Sequence, residues 1–355
     1  MERMKQTDTK FITKQIKKRM TTLITKRRRR ISGTLLSISL AFACASSASA
    51  ATLRVGYWTS GISLGFGSVL EAEQFFQKEG LDVTFVHFPD VNAPTTALAS
   101  NSIDLAFGAS LAGVFSLAQQ GVPVRIVAAT QIVDAELVVL ADSPIHSPSD
   151  LRGKRIGMSP IGAATTGVGT AVLEGNYGLK LSDYQLISGD EPRLAQFLTQ
   201  KNVDAAVLRP STIALIPGSE QKLRVLGTLS NEWKKMTKSA SPAYIGVAGM
   251  RSDWIDAHPA DAAKVIAAMR KAYDFGVQHP EQVTKDVQKM AHLNDSGAQF
   301  YANNWSTMNA VSMKDSDIDT LKRTFDVFKA AGTLKGTPAA QTFDQAPYLA
   351  SLKLK

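Results

Sequence analysis

Four short loops combine small, hydroxyl-bearing and basic residues in the pattern of a binding site for a small anion. One of them, "SPIGAATTG", carries Ala164, Thr165 and Thr166 between a strand-like segment and an apolar helical run. A small-residue turn that leads into a helix N-terminus offers free backbone N–H groups and a positive dipole end to an anion. Because the loop contains no acidic residue, the sequence predicts an anion site here. The alternative is a plain helix cap closed by Thr165.

The other three loops add an aromatic ring, hydroxyls and a guanidinium. Trp58, Thr59 and Ser60 directly follow the first strand-like segment, and Ser110 stands where a helix N-cap is expected in "FGASLAG". Arg209 ends a strand in "AVLRPST", where it can offer two parallel hydrogen bonds to a carboxylate or sulfonate. Ordinary helix caps and a surface salt bridge of Arg209 are the alternatives.

Three further residues are candidates because of their place along the chain. Gln131 and Glu136 lie at the suspected passage between two domains. A carboxylate such as Glu136 suits an amine of the ligand, or it pairs with Arg209. Tyr244, together with Trp58 and Phe66, is expected to border a pocket for an alkyl or aromatic tail.

Short apolar segments alternate with helical patterns along most of the chain. The segments "LRVGY", "LDVTFVHF" and "VRIVAAT" have the composition of strands, and "VFSLAQQG" has the periodicity of a helix ended by glycine. The alternation starts again after Asp134, and the chain is mostly helical beyond Trp254. This order predicts an α/β fold with parallel strands and helices on both sheet faces. Ligands of open α/β sheets bind at the carboxyl ends of strands, where the four loops fall.

Several chemistries have no support in the sequence. There is no P-loop and no G-x-S-x-G motif, and two glycine-rich segments each miss the third glycine of a dinucleotide fingerprint. None of the five histidines forms a metal-binding pair, and Cys44 is the only cysteine. We therefore predict no catalytic residues, no metal and no cofactor, and a protein that is not an enzyme.

The positive charge of the chain is concentrated at its N-terminus. The formal net charge is +9, but the first 50 residues hold 12 Lys and Arg against 2 Asp and Glu, so the rest is close to neutral. Nucleic acid is therefore not a predicted partner.

Residues 1–50 read as a secretory signal peptide. A basic stretch precedes the apolar run Ile31–Cys44, and the small residues at 48–50 predict cleavage after Ala50 and a periplasmic location. The apolar run is shorter than the ~20 residues of a membrane span, which makes a membrane anchor the less favoured alternative. Export by the Sec or the Tat route stays open.

Five segments, in this order, resemble the periplasmic solute-binding proteins of the nitrate/sulfonate/taurine class of ABC importers. They are "LRVGYWTSGIS", "ALASNSIDLAFGASLAGVFSLAQQGVPVRIVAA", "SPSDLRGKRIGMSP", "DAAVLRP" and "GVAGMRSDWIDAHPADAAKVI". The resemblance runs from about Leu53 to Gly336, and the taurine-binding proteins look most similar.

This resemblance implies the type II periplasmic binding protein fold, with two α/β lobes, a hinge and a ligand cleft between them. Lobe 1 is expected to comprise residues 51–133 and 243–355, and lobe 2 residues 134–242. It also implies that the cleft loops hold the ligand through Thr59, Ser60, Ser110, Gln131, Thr165, Thr166 and Arg209.

The implied function is capture of a small anionic solute outside the cytoplasmic membrane by a monomeric protein, which delivers it to the permease and ATPase subunits of an importer. Sulfonate and taurine binders usually carry Trp, often near an acidic residue, where this chain has Leu208 and Arg209. That departure favours a ligand that is only anionic. Sulfonate, taurine, nitrate, an aromatic carboxylate and a pyrimidine all remain open.

Two other functions fit the same fold. One is an enzyme of the type that makes the thiamine pyrimidine, which the resemblance implies would need His and Cys side chains at the site. A chain cleaved after Ala50 has no cysteine, which counts against this alternative. The other is a sensor lobe that presents its ligand to a membrane receptor.

Overall fold

The computed structural model describes residues 52–59, 61–161 and 163–354. The proposed signal peptide lies outside these residues. Among the described residues, no helix is both long and apolar enough to cross a bilayer.

The first sheet has six strands in the order β11-β4-β10-β3-β1-β2. Their bounds are β1 (Leu53–Trp58), β2 (Val83–Phe88), β3 (Leu105–Ser110), β4 (Val124–Ile132), β10 (Tyr244–Arg251) and β11 (Asn309–Ser312). The second sheet has five strands in the order β7-β6-β8-β5-β9. Their bounds are β5 (Glu136–Leu140), β6 (Arg155–Met158), β7 (Gln185–Ser188), β8 (Ala205–Leu208) and β9 (Leu223–Thr228).

Helices cover the faces of both sheets. Those that follow strands of the first sheet are α1 (Ile62–Ala72), α2 (Phe75–Lys78), α3 (Ala93–Ala99) and α4 (Leu111–Gln119). Those that follow strands of the second are α5 (Ala164–Tyr177), α6 (Glu191–Thr199), α7 (Pro210–Ala214), α8 (Ser219–Lys222) and α9 (Leu229–Thr237). The C-terminal part adds α10 (Ser252–Ala257), α11 (Pro259–Gln278), α12 (Pro280–Ala291), α13 (Asp295–Asn303), α14 (Trp305–Met308), α15 (Asp315–Ala330) and α16 (Ala346–Ser351).

The predicted α/β fold with two lobes is confirmed, but the pairing of the strands is mixed. β1 pairs in parallel with β2 and β3, and β6 with β7 and β8, as expected. β10 is antiparallel to β3 and β4, and β5 is antiparallel to β8 and β9. These two strands receive the chain from the other lobe, so they begin at the cleft edge where their neighbours end.

The chain passes between the sheets at two connections, residues 133–135 and 238–243. The two are joined to each other, because the Val133 amide donates to the Ala243 carbonyl at 2.9 Å. The lobe limits predicted from the sequence fall within these connections, and they stay a prediction until the motion of the lobes is measured.

Each sheet has its own apolar core. Side chains such as Phe76, Leu105 and Phe115 fill the core of the first, and the second is packed on both faces around Trp233 and Leu194. Burial of apolar area at this scale is the main favourable contribution to folding. Each lobe is therefore stabilised from within, and the lobes are not held together by a shared core.

Helix α15 makes a third contact between the lobes. Phe325 and Phe328 are buried in the first core, whereas Val327 packs against the core of the second sheet. A Cβ on Gly167 of α5 would lie 3.3 Å from the Val327 side chain. The sequence predicts that residues 243–355 belong wholly to lobe 1, but Val327 of this segment also contacts the second lobe.

Asp317, at the start of α15, fixes the second connection to the first lobe. Its buried carboxylate accepts hydrogen bonds from the Ser241 hydroxyl at 2.6 Å, the Tyr244 hydroxyl at 2.8 Å and the Ser312 hydroxyl at 2.5 Å. The Lys314 amide adds a fourth at 2.9 Å. A buried carboxylate is tolerated when donors surround it in this way.

Asp317→Ala should lower the free energy of unfolding by about 3 kcal/mol, because it leaves several buried donors without an acceptor. Chemical denaturation measures this change. Asp319→Ala, an exposed change on the same helix, is the matched control and should stay within about 0.5 kcal/mol of the wild type. Equal stability of the two variants would contradict the role assigned to Asp317.

Candidate functional site

A cavity of about 490 Å³ lies between the two lobes, at the carboxyl ends of strands from both sheets. Its wall on the side of the first sheet is formed by Trp58, Ile62, Val91, Gly108, Ser110, Gln131 and Ile245. Its wall on the side of the second sheet is formed by Ser159, Pro160, Ala163, Ala164, Thr165, Gly189, Asp190, Glu191, Pro192, Arg209, Ser211 and Thr212.

Six of the residues singled out from the sequence line this cavity. They are Trp58, Ser110, Gln131, Ala164, Thr165 and Arg209. Each of them lies at the end of a strand or at the start of a helix. The carboxyl ends of parallel strands meet at one edge of a sheet, and these residues therefore lie close together. Ser60 lies outside the described residues.

Trp58 lines the cavity, and contacts with Pro89 and Gly61 fix its side chain. Its indole N–H donates to the Pro89 carbonyl at 3.1 Å. Its ring covers Gly61, where a Cβ would come within 2.3 Å of it and where φ is +62°. Thr59 does not line the cavity, because both its amide and its hydroxyl donate to the Phe88 carbonyl, at 2.9 and 3.1 Å.

Gln131 is enclosed by two glycines. A Cβ on Gly108 would lie 2.5 Å from the Gln131 amide nitrogen, and one on Gly246 would lie 2.3 Å from its amide oxygen. The side chain is nearly buried, and no described residue hydrogen bonds to its amide group. Gln131 therefore presents an unused donor and acceptor to the cavity from a fixed position.

The N-terminus of α5 faces the cavity without a side-chain cap. Ala163 precedes the helix and caps it with no side chain, and the first helical hydrogen bond runs from the Gly167 amide to the Ala163 carbonyl at 3.0 Å. The amides of Ala164 and Thr165 precede that bond, so they are open to a ligand. The predicted alternative, a cap closed by Thr165, does not occur.

The hydroxyls of Thr166 and Ser110 both form hydrogen bonds within the protein. Thr166 donates to the Ser159 carbonyl at 2.6 Å, which fixes the loop before α5 and keeps this side chain out of the cavity wall. Ser110 accepts from the Gly113 amide at 3.4 Å, so it is both the predicted cap of α4 and part of the wall. The bond is long, which leaves the hydroxyl able to contact a ligand as well.

Arg209 is already paired with two carboxylates. Its terminal nitrogen lies 3.2 Å from Glu191, and its Nε lies 3.3 Å from Asp134 but is not in line for a hydrogen bond. Glu191 also accepts from the Arg209 amide at 3.1 Å and from the Thr212 hydroxyl at 2.8 Å. The guanidinium is therefore neutralised by the protein, which removes the reason to expect a ligand that is only anionic.

The environment of Asp134 disfavours its charged form. The side chain is 4% exposed at the connection between the lobes. Burial raises the pKa of the Asp134 carboxyl to about 6, and the charge of Arg209 offsets only part of this effect. The ion pair is thus held at a desolvation cost, as is usual for buried charges.

Glu136 does not take the place predicted for it. It lines a different cavity, and the carboxylates that pair with Arg209 are Asp134 and Glu191. Burial raises the pKa of the Glu136 carboxyl. The sequence placed an acid near this connection correctly, but the acid of this connection that reaches Arg209 is Asp134, two residues before Glu136.

Tyr244 does not border the cleft either, and Phe66 is buried in the core of the first sheet. The Tyr244 ring is buried and its hydroxyl donates to Asp317. Burial, and after it the Asp317 carboxylate, raises the pKa of this phenol. The next residue on β10, Ile245, lines the cavity instead. Consecutive side chains of a strand point to opposite faces, which explains the difference between Tyr244 and Ile245.

Sequence reasoning missed the acidic corner of the cavity. Asp190 and Glu191 begin α6 directly after β7, and Asp190 accepts from the Arg193 amide at 2.9 Å. The segment "SGDEPRL" carried a signal, since a strand end followed by acidic residues and proline marks a helix start at the ligand edge of a sheet. Among the charged residues that the structure describes in this wall, Asp190 and Glu191 outnumber Arg209.

Solved structures of sulfonate-binding proteins have the same fold. The periplasmic aliphatic sulphonate binding protein of Escherichia coli superposes with a TM-score of 0.65 at 19% identity, covering 82% of this chain and 90% of that one. The alkanesulfonate-binding protein of Xanthomonas axonopodis pv. citri, bound to MOPS, gives a TM-score of 0.60 at 18% identity, covering 82% and 98%. The fold is thus that of the two-lobed periplasmic binding proteins.

The sequence itself places the chain in a family. The profile described as "NMT1/THI5 like" matches residues 69–283, well over half of the 355 residues, and the chain belongs to this family. Curated proteins of Brucella abortus and Brucella melitensis, which carry provisional names as binding proteins, are each 25% identical over 323 residues. These alignments cover 89% of this chain and 98% of each relative.

Gly246→Ala should displace Gln131 and lower the free energy of unfolding by about 1–3 kcal/mol, the usual cost of overpacking. In a Gln131→Ala background the same change should cost clearly less, because the side chain that it strikes is gone. Denaturant unfolding of the single and double variants gives the coupling energy. Additive effects of the two changes would show that the clash does not exist.

The stability of the wild type relative to Asp134→Asn should fall as the pH rises from about 4 to about 6. A carboxyl whose pKa is higher in the folded than in the unfolded chain binds its proton more tightly when folded, so its contribution is lost through this range. Denaturant unfolding at a series of pH values measures the difference.

Asp142→Asn is the control for this pH series. Lys201 holds the pKa of this exposed carboxyl below its usual range, so the relative stability of the wild type should not fall in the same window. A flat profile for Asp134→Asn would contradict the burial assigned to its carboxyl.

Proposed function

We propose that this protein is the extracytoplasmic solute-binding component of an ABC importer and that it binds a small sulfonate of the taurine type. The observation that carries the proposal is the cavity between the lobes, where the uncapped N-terminus of α5 faces Gln131 and Ser110 of the first sheet. A ligand in this cavity contacts both lobes, and so it stabilises the closed arrangement over the open one.

The polar groups suit a sulfonate head. The open amides of Ala164 and Thr165, with the positive end of the α5 dipole, bind negative charge without a cation. The Thr165 hydroxyl lies in the same wall. The relatives of similar fold that bind sulfonates support this choice of head group.

The charge of the opposite corner favours a ligand that also bears an amine. Asp190, Glu191 and Arg209 give the wall a formal charge of −1 when all are ionised. A simple alkanesulfonate would meet uncompensated carboxylate charge there, whereas an aminosulfonate would place its ammonium group against it. Trp58 offers its ring to the short carbon chain between the two charged ends.

The partners follow from the proposed role. The closed protein would present its two lobes to a membrane permease driven by an ATPase subunit, and it would act as a monomer. The enzyme alternative requires His and Cys at the site, and the described residues that line the cavity include neither.

A screen of ligands by thermal unfolding tests the proposal. Taurine at 100 times its dissociation constant should add about 2.7 kcal/mol to the free energy of unfolding. Simple alkanesulfonates should stabilise less, and nitrate, aromatic carboxylates and pyrimidines least. Stabilisation by pyrimidines alone would contradict the sulfonate assignment, and no response to any of these compounds would contradict solute binding in the cleft.

Matched variants locate the ligand within the cleft. Thr165→Ala should weaken taurine binding about tenfold, because a hydrogen bond to a charged group contributes about 1.5 kcal/mol. Thr170→Ala is the control on the same helix, since its hydroxyl donates to the Thr166 carbonyl at 3.0 Å within α5. Equal affinities of the two variants would remove Thr165 from the site.

Export is tested separately. We propose that residues 1–50 direct the chain across the cytoplasmic membrane and are removed after Ala50. The mass of the protein recovered from the periplasm should correspond to a chain that begins at Ala51. A mass that includes residues 1–50 would favour a membrane anchor.

A further inference from the structure

A second cavity, of about 320 Å³, lies behind the cleft, and none of its described lining residues belongs to the first cavity. We call it the rear cavity and define it by Asp134, Glu136, Lys234, Pro242 and Asn304. These residues come from both connections and from both lobes.

Neighbouring residues show that the two cavities lie on opposite sides of the same segments. Gln131 lines the cleft and Ile132 the rear cavity, and Arg209 lines the cleft and Pro210 the rear cavity. The two cavities therefore adjoin each other along these segments, and the consecutive residues Ile132, Val133 and Asp134 all line the rear cavity.

The chemistry of the rear cavity favours a cation. Asp134 and Glu136 supply two carboxylates against one ammonium, that of Lys234, so the wall is net negative when all three are ionised. No described residue donates a hydrogen bond to the Glu136 carboxylate or pairs with Lys234. Burial raises the pKa of the Glu136 carboxyl, because it disfavours the charged form.

Asp134 links the two cavities. Its carboxyl is part of the rear wall, and the same carboxyl lies 3.3 Å from the guanidinium of Arg209, which lines the cleft. A charge placed beside Asp134 from behind therefore acts on the ion pair that forms one corner of the cleft. Because the rear cavity also spans the two connections, its shape must change when the lobes move.

We propose that the rear cavity binds a small organic ammonium ion through Glu136 and that occupancy shifts the balance between open and closed lobes. The binding step stands independently of the function proposed for the cleft, whereas the effect on closure rests on that proposed function.

Ethylammonium chloride is the probe, and potassium chloride at equal ionic strength is the reference. Titration of the purified ¹⁵N-labelled protein should shift the amide resonances of residues 132–136, 230–234 and 304–307. Shifts confined to the cleft, or equal shifts with potassium chloride, would overturn the site.

Glu136→Gln should weaken ethylammonium binding at least fivefold, and the exposed change Asp319→Asn should leave it unchanged. Asn304→Trp provides a second variant, which fills the rear cavity and should abolish the response while leaving the spectrum of a folded protein. Equal binding by wild type and Glu136→Gln would refute the role of the carboxylate.

The effect on closure is measured without any ligand in the cleft. Spin labels at Val91→Cys and Ile161→Cys, both exposed near the cleft, report the distance between the lobes in a Cys44→Ser background. Saturating ethylammonium should change the distance distribution of this protein and not that of the same protein with Glu136→Gln. Binding without any change in distance would refute the coupling, whatever the taurine screen gives.

Discussion

The two connections between the lobes are bound to each other, and the rest of the molecule depends on that constraint. The hydrogen bond from Val133 to Ala243 makes one narrow joint out of two chain crossings. Each lobe folds around its own sheet and core, and Val133, Ala135 and Ala243 of the joint are buried in the core of the second sheet. The cleft lies on one side of this joint and the rear cavity on the other, and a rotation about it changes both.

The basic side chain in the wall of the cleft is paired with acidic side chains of the protein itself. Arg209 is neutralised by Asp134 and Glu191, and the positive potential available to a ligand comes from backbone amides of α5. Amides carry partial charges that do not titrate and need little rearrangement. In the proposed function, the excess of carboxylates favours an anion that also bears an ammonium group. A basic residue in a cleft is thus a weak guide to the charge of the ligand until its partners are known.

Much of the fold and part of the site could be predicted from the sequence. The alternation of strands and helices follows from local composition, and it brought Trp58, Ser110, Gln131, Thr165 and Arg209 to one edge. The direction of a side chain near a connection depends on tertiary pairing, which composition does not record. Glu136 and Tyr244 were placed in the cleft for that reason, although both face elsewhere. The carboxylates around Arg209 come from segments far apart along the chain, and only the folded chain brings them together.

The contact of α15 with α5 has a mechanical consequence. Two linked crossings alone would permit the lobes to twist as well as to open. Val327 resting on the side-chain-free surface at Gly167 adds a third point of support away from the joint. These three contacts restrict how the two lobes can move relative to each other. Because Gly167 has no side chain, Val327 can slide along α5. In the proposed opening of the lobes, helix α15 would therefore guide the second lobe along this contact.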